Sequence, residues 1–439
     1  MFKRIYNKKI AKIIIAIIYS FLFAYGYREF LYGAYLYAGF DIIDTRLTHP
    51  ELELYTFILA VLPVTLHNGI KQISSFISIF IYYILYVPII ITFFYNKEGS
   101  ISYVMFLQFL FMLSMSLLFV ADRVKISGSF VLPSNIKPFK VILVLTWLCT
   151  AYIAFVYRGS LNFASYEDVY IQRSATQQLG QDIFTAYSGA WLANVFIPIC
   201  ATYGLFSKKR IYFFSAILGS TIIYMSTADK QIFLFPFIIF GIYKLLIKSS
   251  LKNSFSTIGL GLVSLMTITL ITGLSIFSAL FWMRTLGNGG LLTNYYHKFF
   301  TDHPNTHYSH INVINAITHG YPYGESSIGQ VVGKEYWSDE MNANANFWAT
   351  DGIAAIGDGG ILLSAFILFC IFIIFNKISF YYNKIFLICI LIPFLGTLMN
   401  TSLFTSLVTG GGFLVFLFLS LENTVKNTYI NENSNNHRG

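Results

Sequence analysis

Apolar residues fill long, nearly uninterrupted runs along most of this chain, and short polar segments separate them. A run of about 20 apolar residues can cross the hydrocarbon core of a bilayer as a helix. Backbone polar groups in lipid must pair within their own segment, so these runs predict membrane-spanning α-helices. The pattern predicts about twelve spans, at about 10–27, 52–70, 74–94, 102–121, 139–157, 184–206, 211–227, 231–248, 255–282, 352–375, 384–400 and 403–421.

Two polar segments are too long to be simple turns between spans: residues 158–183 and residues 284–350. Loops longer than about 15 residues are usually functional or disordered. Spans and loops together predict an all-α polytopic membrane protein with one integral membrane domain over residues 1–421. The Asn-rich, polar residues 422–439 are predicted to be a disordered cytoplasmic tail.

The distribution of charged residues predicts the orientation of the spans. With the N-terminus in the cytoplasm, 20 of the 29 Lys and Arg residues lie inside and 17 of the 20 Asp and Glu residues lie outside. Because cytoplasmic loops are enriched in Lys and Arg, we predict an even number of spans with both termini inside and both long loops outside. Residues 1–25 have the form of a signal sequence, but the charge count requires them as an uncleaved first span.

Composition supports a membrane protein and excludes several other classes. The chain is 56% hydrophobic and 11% charged, whereas soluble domains carry about 25% charged residues. Its net charge of +9 is explained by basic loops against the anionic inner leaflet, so nucleic acid is not predicted as a partner. All four cysteines fall in predicted spans, which argues against disulfides. No Walker loop, dinucleotide fingerprint or nucleophile elbow is present, and no cofactor is predicted.

Five of the eight histidines lie in the second long loop. Pro304 suits the first turn of a helix and Gly320 suits its C-terminal cap, so residues 304–319 are predicted to form an amphipathic helix on the outer membrane face. Its histidines are open to three interpretations: interfacial polar residues, a base or sugar contact, or metal ligands. His303, His307 and His310 have ligand-like spacing, but no carboxylate or Cys completes a set, and no metal is predicted.

Three outer arginines, Arg158, Arg173 and Arg284, lie on the side where positive charge is disfavoured. Arginine stays charged, and its planar fork binds phosphate oxygens in pairs. Residues 286–290 are Gly-rich and are predicted to form a turn whose backbone N–H groups could serve the same anion. The alternative is that these arginines snorkel to the lipid headgroups.

Acidic residues also occur at predicted span entrances. Asp229 and Lys230 are adjacent between two apolar spans. They either form an ion pair with each other or line a site. Asp351 and Asp358 lie in a Gly-rich entry to the tenth span. Carboxylates at such a position are costly unless they are buried against protein or water. For Asp351, close packing and a role above a substrate cleft both stay open, and for Asp358 packing is favoured.

Two stretches, together with the layout of the chain, resemble a known family. Ser226–Pro236 is similar to the small-polar-Lys segment that opens a span in bacterial Wzy-type polymerases. Asn344–Gly357 looks like the aromatic, acidic and Gly-rich entry to a late span in the same proteins. The layout of about twelve spans with one dominant outer loop late in the chain is also similar.

The resemblance implies a GT-C-like, inverting glycosyltransferase of the bacterial cytoplasmic membrane. Its substrates would be undecaprenyl-diphosphate-linked glycans among the membrane lipids, joined into O-antigen or capsular polysaccharide. Such polymerases usually work beside a chain-length regulator protein.

The predicted site residues fit this chemistry. A diphosphate leaving group needs fixed positive charge, for which the candidates are Arg158, Arg173, Arg284 and Lys230. The acceptor hydroxyl benefits from a base, for which the candidates are His303, His307, His310 and Asp351. Aromatic residues that could stack on sugars are Tyr295, Tyr296, Tyr308, Tyr321, Tyr323 and Trp337.

Three other functions remain as alternatives. A flippase for the same lipid-linked unit would also have about twelve spans, but it would place charges inside them, and these spans are nearly free of charge. An O-antigen ligase would have similar outer His and Arg residues and would differ in its acceptor, which the sequence does not reveal. An acyltransferase lacks a supporting His-acid motif on a span.

Overall fold

The computed structural model describes residues 2–124, 130–163, 172, 182–247, 251–273 and 275–421. Within these residues the chain is helical and contains no strand beyond an isolated bridge between Leu132 and Leu421. The prediction of an all-α fold is therefore confirmed.

The helices are, in chain order, α1 (Lys9–Ala38), α2 (Pro50–Val61), α3 (Ile73–Asn96), α4 (Ile101–Arg123), α5 (Pro138–Val156), α6 (Ile183–Ser207), α7 (Arg210–Thr227), α8 (Lys230–Ile247), α9 (Ser254–Thr272), α10 (Asn288–Asp302), α11 (Asn312–Thr318), α12 (Ile328–Tyr336), α13 (Asp358–Ile378), α14 (Lys384–Ile390), α15 (Ile392–Asn400), α16 (Leu403–Leu407) and α17 (Gly412–Ser420). Two π-helical segments are important below: Ala279–Gly287 precedes α10, and Trp348–Ala354 precedes α13.

Eight helices in the described part of the chain are long and apolar enough to cross a membrane: α1, α3, α4, α5, α6, α8, α9 and α13. They coincide with eight of the predicted spans. The other four predicted spans, 52–70, 211–227, 384–400 and 403–421, fall on α2, α7, the pair α14 and α15, and the pair α16 and α17. Those helices are not among the eight, so the total of twelve stays a prediction.

The chain folds into two compact units. The first unit comprises Met1–Lys125, Leu251–Ile374 and Leu398–Phe404, and the second comprises Ile126–Ser250, Phe375–Thr397 and Thr405–Gly439. The prediction of one membrane domain over residues 1–421 stays a prediction.

Buried tyrosines form much of the core of the first unit. Tyr82, Tyr83 and Tyr86 on α3 are fully buried. Their hydroxyl groups donate to the backbone carbonyls of Ala60, Phe255 and Leu59, at 2.9, 3.2 and 2.6 Å. A buried phenol needs such a partner, and the high aromatic content of the sequence is thus partly a packing feature of this core.

In the second unit, α7 packs against α5, α6 and α8. A Cβ added at Gly204 on α6 would press on the backbone of Phe213, so glycine is required where α6 meets α7. Phe139 and Tyr203 stack with ring centroids 3.7 Å apart and join α5 to α6.

The predicted ninth span is interrupted. Helix α9 ends at Thr272, where Gly273 adopts a left-handed conformation with φ of 59°. The chain resumes as helix at Ser275 and continues through the π-helical segment into α10. The predicted span over residues 255–282 therefore corresponds to α9 but ends earlier than predicted, because a left-handed glycine terminates a helix.

The predicted Gly-rich turn beside Arg284 is also wrong. Gly287 and Gly290 lie in continuous helix, and a Cβ on them would overlap Phe40 and the backbone of Pro88. Because glycine lacks a side chain, Gly290 lets α10 approach α3 closely, and Gly287 leaves room for the ring of Phe40. Their role is close packing, and they do not form an anion-binding turn.

Candidate functional site

The π-helical segment before α13 is fixed at its start by Asn346. The side-chain oxygen of Asn346 accepts hydrogen bonds from the backbone N–H groups of Trp348 and Ala349, at 3.0 and 3.3 Å. Its amide nitrogen donates to Thr293 Oγ1 on α10, at 2.9 Å. Asn346 is buried, and it joins the segment to α10. Segments of π-helix are frequent at functional sites.

The end of the same segment is bound by a tight turn of the loop. The backbone N–H groups of Thr306 and His307 donate to the carbonyls of Ala354 and Ala355, at 2.8 and 3.0 Å. His307 and Tyr308 then adopt positive φ angles of 47° and 66°, which are uncommon for residues other than glycine.

The predicted helix over residues 304–319 is therefore wrong, and only Asn312–Thr318 is helical there. The two left-handed residues break the helical spacing, so His307 and His310 do not share a helix face.

Asp351 is a fully buried carboxylate with four donors around it. Ser402 Oγ and the backbone N–H of Leu403 donate to it at 2.7 and 2.6 Å, and Thr350 Oγ1 donates at 3.2 Å. The fourth group is His310, whose Nε2 lies 3.5 Å from Asp351 Oδ1. A buried charge is tolerated when it is hydrogen-bonded in this way.

The hydrogen bonds of His310 define how its ring is used. Nδ1 lies 2.9 Å from Thr306 Oγ1, and Nε2 faces the Asp351 carboxylate. Because a carboxylate only accepts hydrogen bonds, Nε2 is the nitrogen that carries the proton, and Nδ1 is left to accept from the Thr306 hydroxyl. The His310 side chain is 7% exposed. The hydrogen bond to Asp351 therefore lies in a nearly dry environment, where such a bond is strengthened.

A second histidine–carboxylate pair joins His297 to Asp358, the first residue of α13, which lies seven residues after Asp351. His297 Nε2 lies 2.8 Å from Asp358 Oδ1, and Tyr103 donates its hydroxyl proton to Asp358 Oδ2 at 2.8 Å. The His297 side chain is 2% exposed and that of Asp358 is 33% exposed. Asp358 is thus the group of this pair that faces solvent, while His297 and Tyr103 orient it.

Burial lowers the pKa of His297, and this outweighs the opposing effect of its bond to Asp358. The folded state therefore favours the neutral ring. Its contribution to stability is complete above the unfolded pKa of about 6.5 and is lost as the pH falls through the lower folded pKa. We expect the unfolding temperature to fall between about pH 7.5 and about pH 5.5, and His297→Gln to reduce this dependence.

The matched control is His319→Asn, because His319 is exposed and its left-handed backbone suits asparagine. Thermal unfolding of the three proteins across the pH range would check the prediction. An unchanged slope in His297→Gln would contradict it.

These contacts define two polar clusters within the first unit. Comparison with protein-family models, curated proteins and solved structures finds no match to this chain.

The remaining predicted bases lie near the first cluster but make other contacts. His303 stacks on the ring of Phe299, with centroids 4.0 Å apart, and its Nδ1 donates to the Phe299 carbonyl. His307 is exposed, and its backbone bonds to Ala355. Among the described residues no three His, Cys, Asp or Glu side chains are placed to hold a metal ion.

The predicted aromatic residues divide into buried and partly exposed groups. Tyr296 is fully buried and donates to the Ala343 carbonyl, so its ring offers no face to a sugar. Tyr295 packs against Trp337, with centroids 4.7 Å apart. Tyr321 and Tyr323 form an edge contact at 5.7 Å, and burial raises the pKa of each to about 12.

Tyr308 lies closest to the first pair. Its ring centroid is 6.1 Å from that of His310, and its buried hydroxyl has no hydrogen-bond partner in the described part of the chain. Burial, and to a lesser degree the charge of Asp351, raise its pKa to about 12. This hydroxyl is therefore a neutral group that remains available to a bound molecule.

The predicted cations that the structure describes are divided between the two units. Arg284 is exposed in the first unit. Arg158 and Lys230 belong to the second unit and are exposed, and the Arg158 guanidinium lies 4.5 Å from the Phe155 ring centroid. Arg173 lies outside the described residues.

Sequence reasoning missed several members of the clusters. Tyr103 and Ser402 carried no signal, because an isolated polar residue near a span is common. The preference for packing at Asp358 stays a prediction; its carboxylate accepts hydrogen bonds from Tyr103 and His297. Lys97 and Arg46 could also have been found from the sequence. Both are cations on the predicted outer side, which is the criterion that singled out Arg158, Arg173 and Arg284.

Proposed function

We propose that this protein is a membrane glycosyltransferase that joins undecaprenyl-diphosphate-linked oligosaccharide repeat units into O-antigen or capsular polysaccharide. The reaction would occur at the outer face of the bacterial cytoplasmic membrane. About twelve spans, a GT-C-like architecture and cytoplasmic termini are part of the same proposal. The observation that carries it is the presence of two histidine–carboxylate pairs whose carboxylates, Asp351 and Asp358, lie seven residues apart.

In this proposal His310 is the base that accepts the proton of the acceptor hydroxyl, and Asp351 stabilises the resulting imidazolium. With Nε2–H directed at Asp351, Nδ1 beside Thr306 Oγ1 is the nitrogen that would take up the proton. The unpartnered hydroxyl of Tyr308 is suited to hold a sugar hydroxyl beside it. General-base catalysis of this kind contributes about 10²- to 10⁴-fold.

The diphosphate leaving group would need positive charge as the glycosidic bond breaks. Arg284 belongs to the same unit as both pairs and is exposed. Arg158, Arg173 and Lys230 stay candidates for the same role. The proposed bond change is attack of the acceptor oxygen on the donor's anomeric carbon, with departure of the undecaprenyl diphosphate and transfer of the hydroxyl proton to His310.

The location of the polar clusters favours a transferase over a flippase. Asp351 precedes α13 and Asp358 is its first residue, so the paired groups lie at a span end. A transporter of a polar headgroup would require polar side chains within the spans.

A gel of surface polysaccharide from cells lacking the gene tests the proposal. A core bearing a single repeat unit, with no ladder, is expected. Bare core with lipid-linked polymer accumulating in the envelope would indicate a ligase, and bare core with single units retained on the cytoplasmic face would indicate a flippase. An unchanged ladder would overturn the glycan proposal altogether.

Complementation with variants tests the role of His310. At equal protein levels in the membrane, His310→Ala is expected to reduce polymer by about 10²-fold or more, whereas His319→Asn should restore the ladder. Normal polymer from His310→Ala would remove this histidine from the mechanism. Loss of the ladder in His307→Asn, with His310→Ala active, would transfer the role to His307.

A further inference from the structure

A buried lysine lies in the connection between α3 and α4. Lys97 is 4% exposed, and its ammonium makes no hydrogen bond or ion pair with the residues that the structure describes. An ammonium on a side chain this buried is only partly hydrated, which is costly when no protein group pairs with it. Native proteins rarely leave such a group unsatisfied unless water, an ion or a ligand meets it.

A second buried cation supports the same connection. Arg46 is also 4% exposed. Its Nη2 donates to the carbonyls of Lys97 and Gly99, at 2.9 and 2.7 Å. Its Nε is buried and has no partner within the described residues. Arg46 therefore holds the backbone of the turn and adds positive charge beside the Lys97 ammonium.

The other charged groups around Lys97 leave this positive charge partly uncompensated. Glu98 pairs with Lys298 at 2.7 Å, so these two cancel. Asp358 is the remaining nearby carboxylate, and it already accepts from His297 and Tyr103. Since burial favours the neutral form of His297, Lys97 and Arg46 against Asp358 leave a net charge of about +1.

We propose that Lys97 and Arg46 form a binding site for a phosphate oxyanion. Lys97 supplies an ammonium that no described protein group pairs with, and Arg46 fixes the turn and adds positive charge. The turn joins two helices that are long enough to cross a membrane, so it lies where a lipid phosphate would be found. Two sources share this chemistry: the diphosphate of a lipid-linked substrate, which rests on the proposed function, and the headgroup of an anionic phospholipid, which does not.

The test follows the ionisation of Lys97 in the purified full-length protein. Burial lowers the pKa of Lys97 to about 8. The lysines are ¹³C-methylated reductively, Lys97→Arg assigns the Lys97 signal, and its pKa is measured by NMR in neutral detergent. Added inorganic pyrophosphate is expected to raise this pKa toward the ordinary value of about 10.4. The signal of Lys334, an exposed residue paired with Asp339, serves as the reference.

The outcomes separate the two sources. A rise with pyrophosphate supports a diphosphate-binding site. A rise only with phosphatidylglycerol bicelles, and not with phosphatidylcholine bicelles, supports a headgroup site. No rise with either probe overturns the proposal. The result is independent of the polysaccharide gel, so an unchanged ladder together with a pyrophosphate response would refute the proposed polymerase and leave the phosphate site standing.

A second measurement does not depend on labelling. The probe to which the Lys97 signal responds should raise the unfolding temperature of the wild type and not that of Lys97→Met, which keeps a long side chain without charge. An equal rise in both proteins would overturn the proposal. Arg46→Gln should weaken the response without abolishing it, because the Lys97 ammonium remains.

Discussion

Gly360→Ala is expected to destabilise the first unit by about 2–3 kcal/mol, the cost of overpacking a close contact. Gly360 lies in the first turn of α13, where it crosses the π-helical segment. A Cβ at this position would overlap the carbonyl group of Gly352. Backbone atoms cannot rotate aside, so the two segments would have to separate.

The separation would also disturb the candidate site, because Asp351 precedes this crossing and Asp358 lies beside it. We therefore expect Gly360→Ala to lower both the unfolding temperature and the amount of polymer. Thermal unfolding in detergent and the polysaccharide gel would measure the two effects.

The neighbouring glycine provides a matched control. Nothing lies within 4 Å of a Cβ added at Gly359, and alanine is favoured over glycine in a helix by up to about 1 kcal/mol. Gly359→Ala should therefore leave stability unchanged or slightly increased. Equal behaviour of the two variants would show that α13 and the π-helical segment do not meet as described.

Asp351→Asn is expected to cost about 2–4 kcal/mol of stability, because each buried donor left unpaired costs about 1–3 kcal/mol. Both carboxylate oxygens accept hydrogen bonds, Oδ1 from Ser402 and Oδ2 from Leu403 and Thr350. In either orientation the amide nitrogen of asparagine would face a donor. Asp351→Ala would remove the acceptor of the buried Leu403 N–H altogether and should be at least as severe.

Asp358→Asn is the comparison, since Asp358 is partly exposed and water can replace lost bonds. We expect it to cost less than about 1 kcal/mol. Unfolding by heat or denaturant in the same detergent would rank the variants. A larger loss in Asp358→Asn than in Asp351→Asn would contradict the burial and the four-donor environment assigned to Asp351.

The length of the apolar runs predicted the helical class of the fold. Eight of the predicted spans correspond to helices that are long and apolar enough to cross a membrane. This succeeds because lipid forces each backbone segment to satisfy its own hydrogen bonds. The same reasoning failed at residues 304–319, where proline, glycine and spacing suggested one helix. Bonds from Thr306 and His307 to Ala354 and Ala355 stabilise a turn there instead.

Composition and charge also identified the part of the chain that carries the polar chemistry, since Asp351 and His310 were both predicted candidates. Their pairing was not predictable. His310 and Asp351 are 41 residues apart, and Ser402 is 51 residues beyond Asp351. Neither helical spacing nor hydropathy relates residues so distant.

The sequence by itself thus determined where helices form and which segment is rich in ionisable groups, because both follow from local solvation. Only the tertiary structure decided which histidine meets which carboxylate, that Gly290 packs against α3, and that Lys97 and Arg46 are both buried. Those outcomes depend on how α3, α10 and the π-helical segment pack, and packing is set by the shapes of side chains that are far apart in the chain.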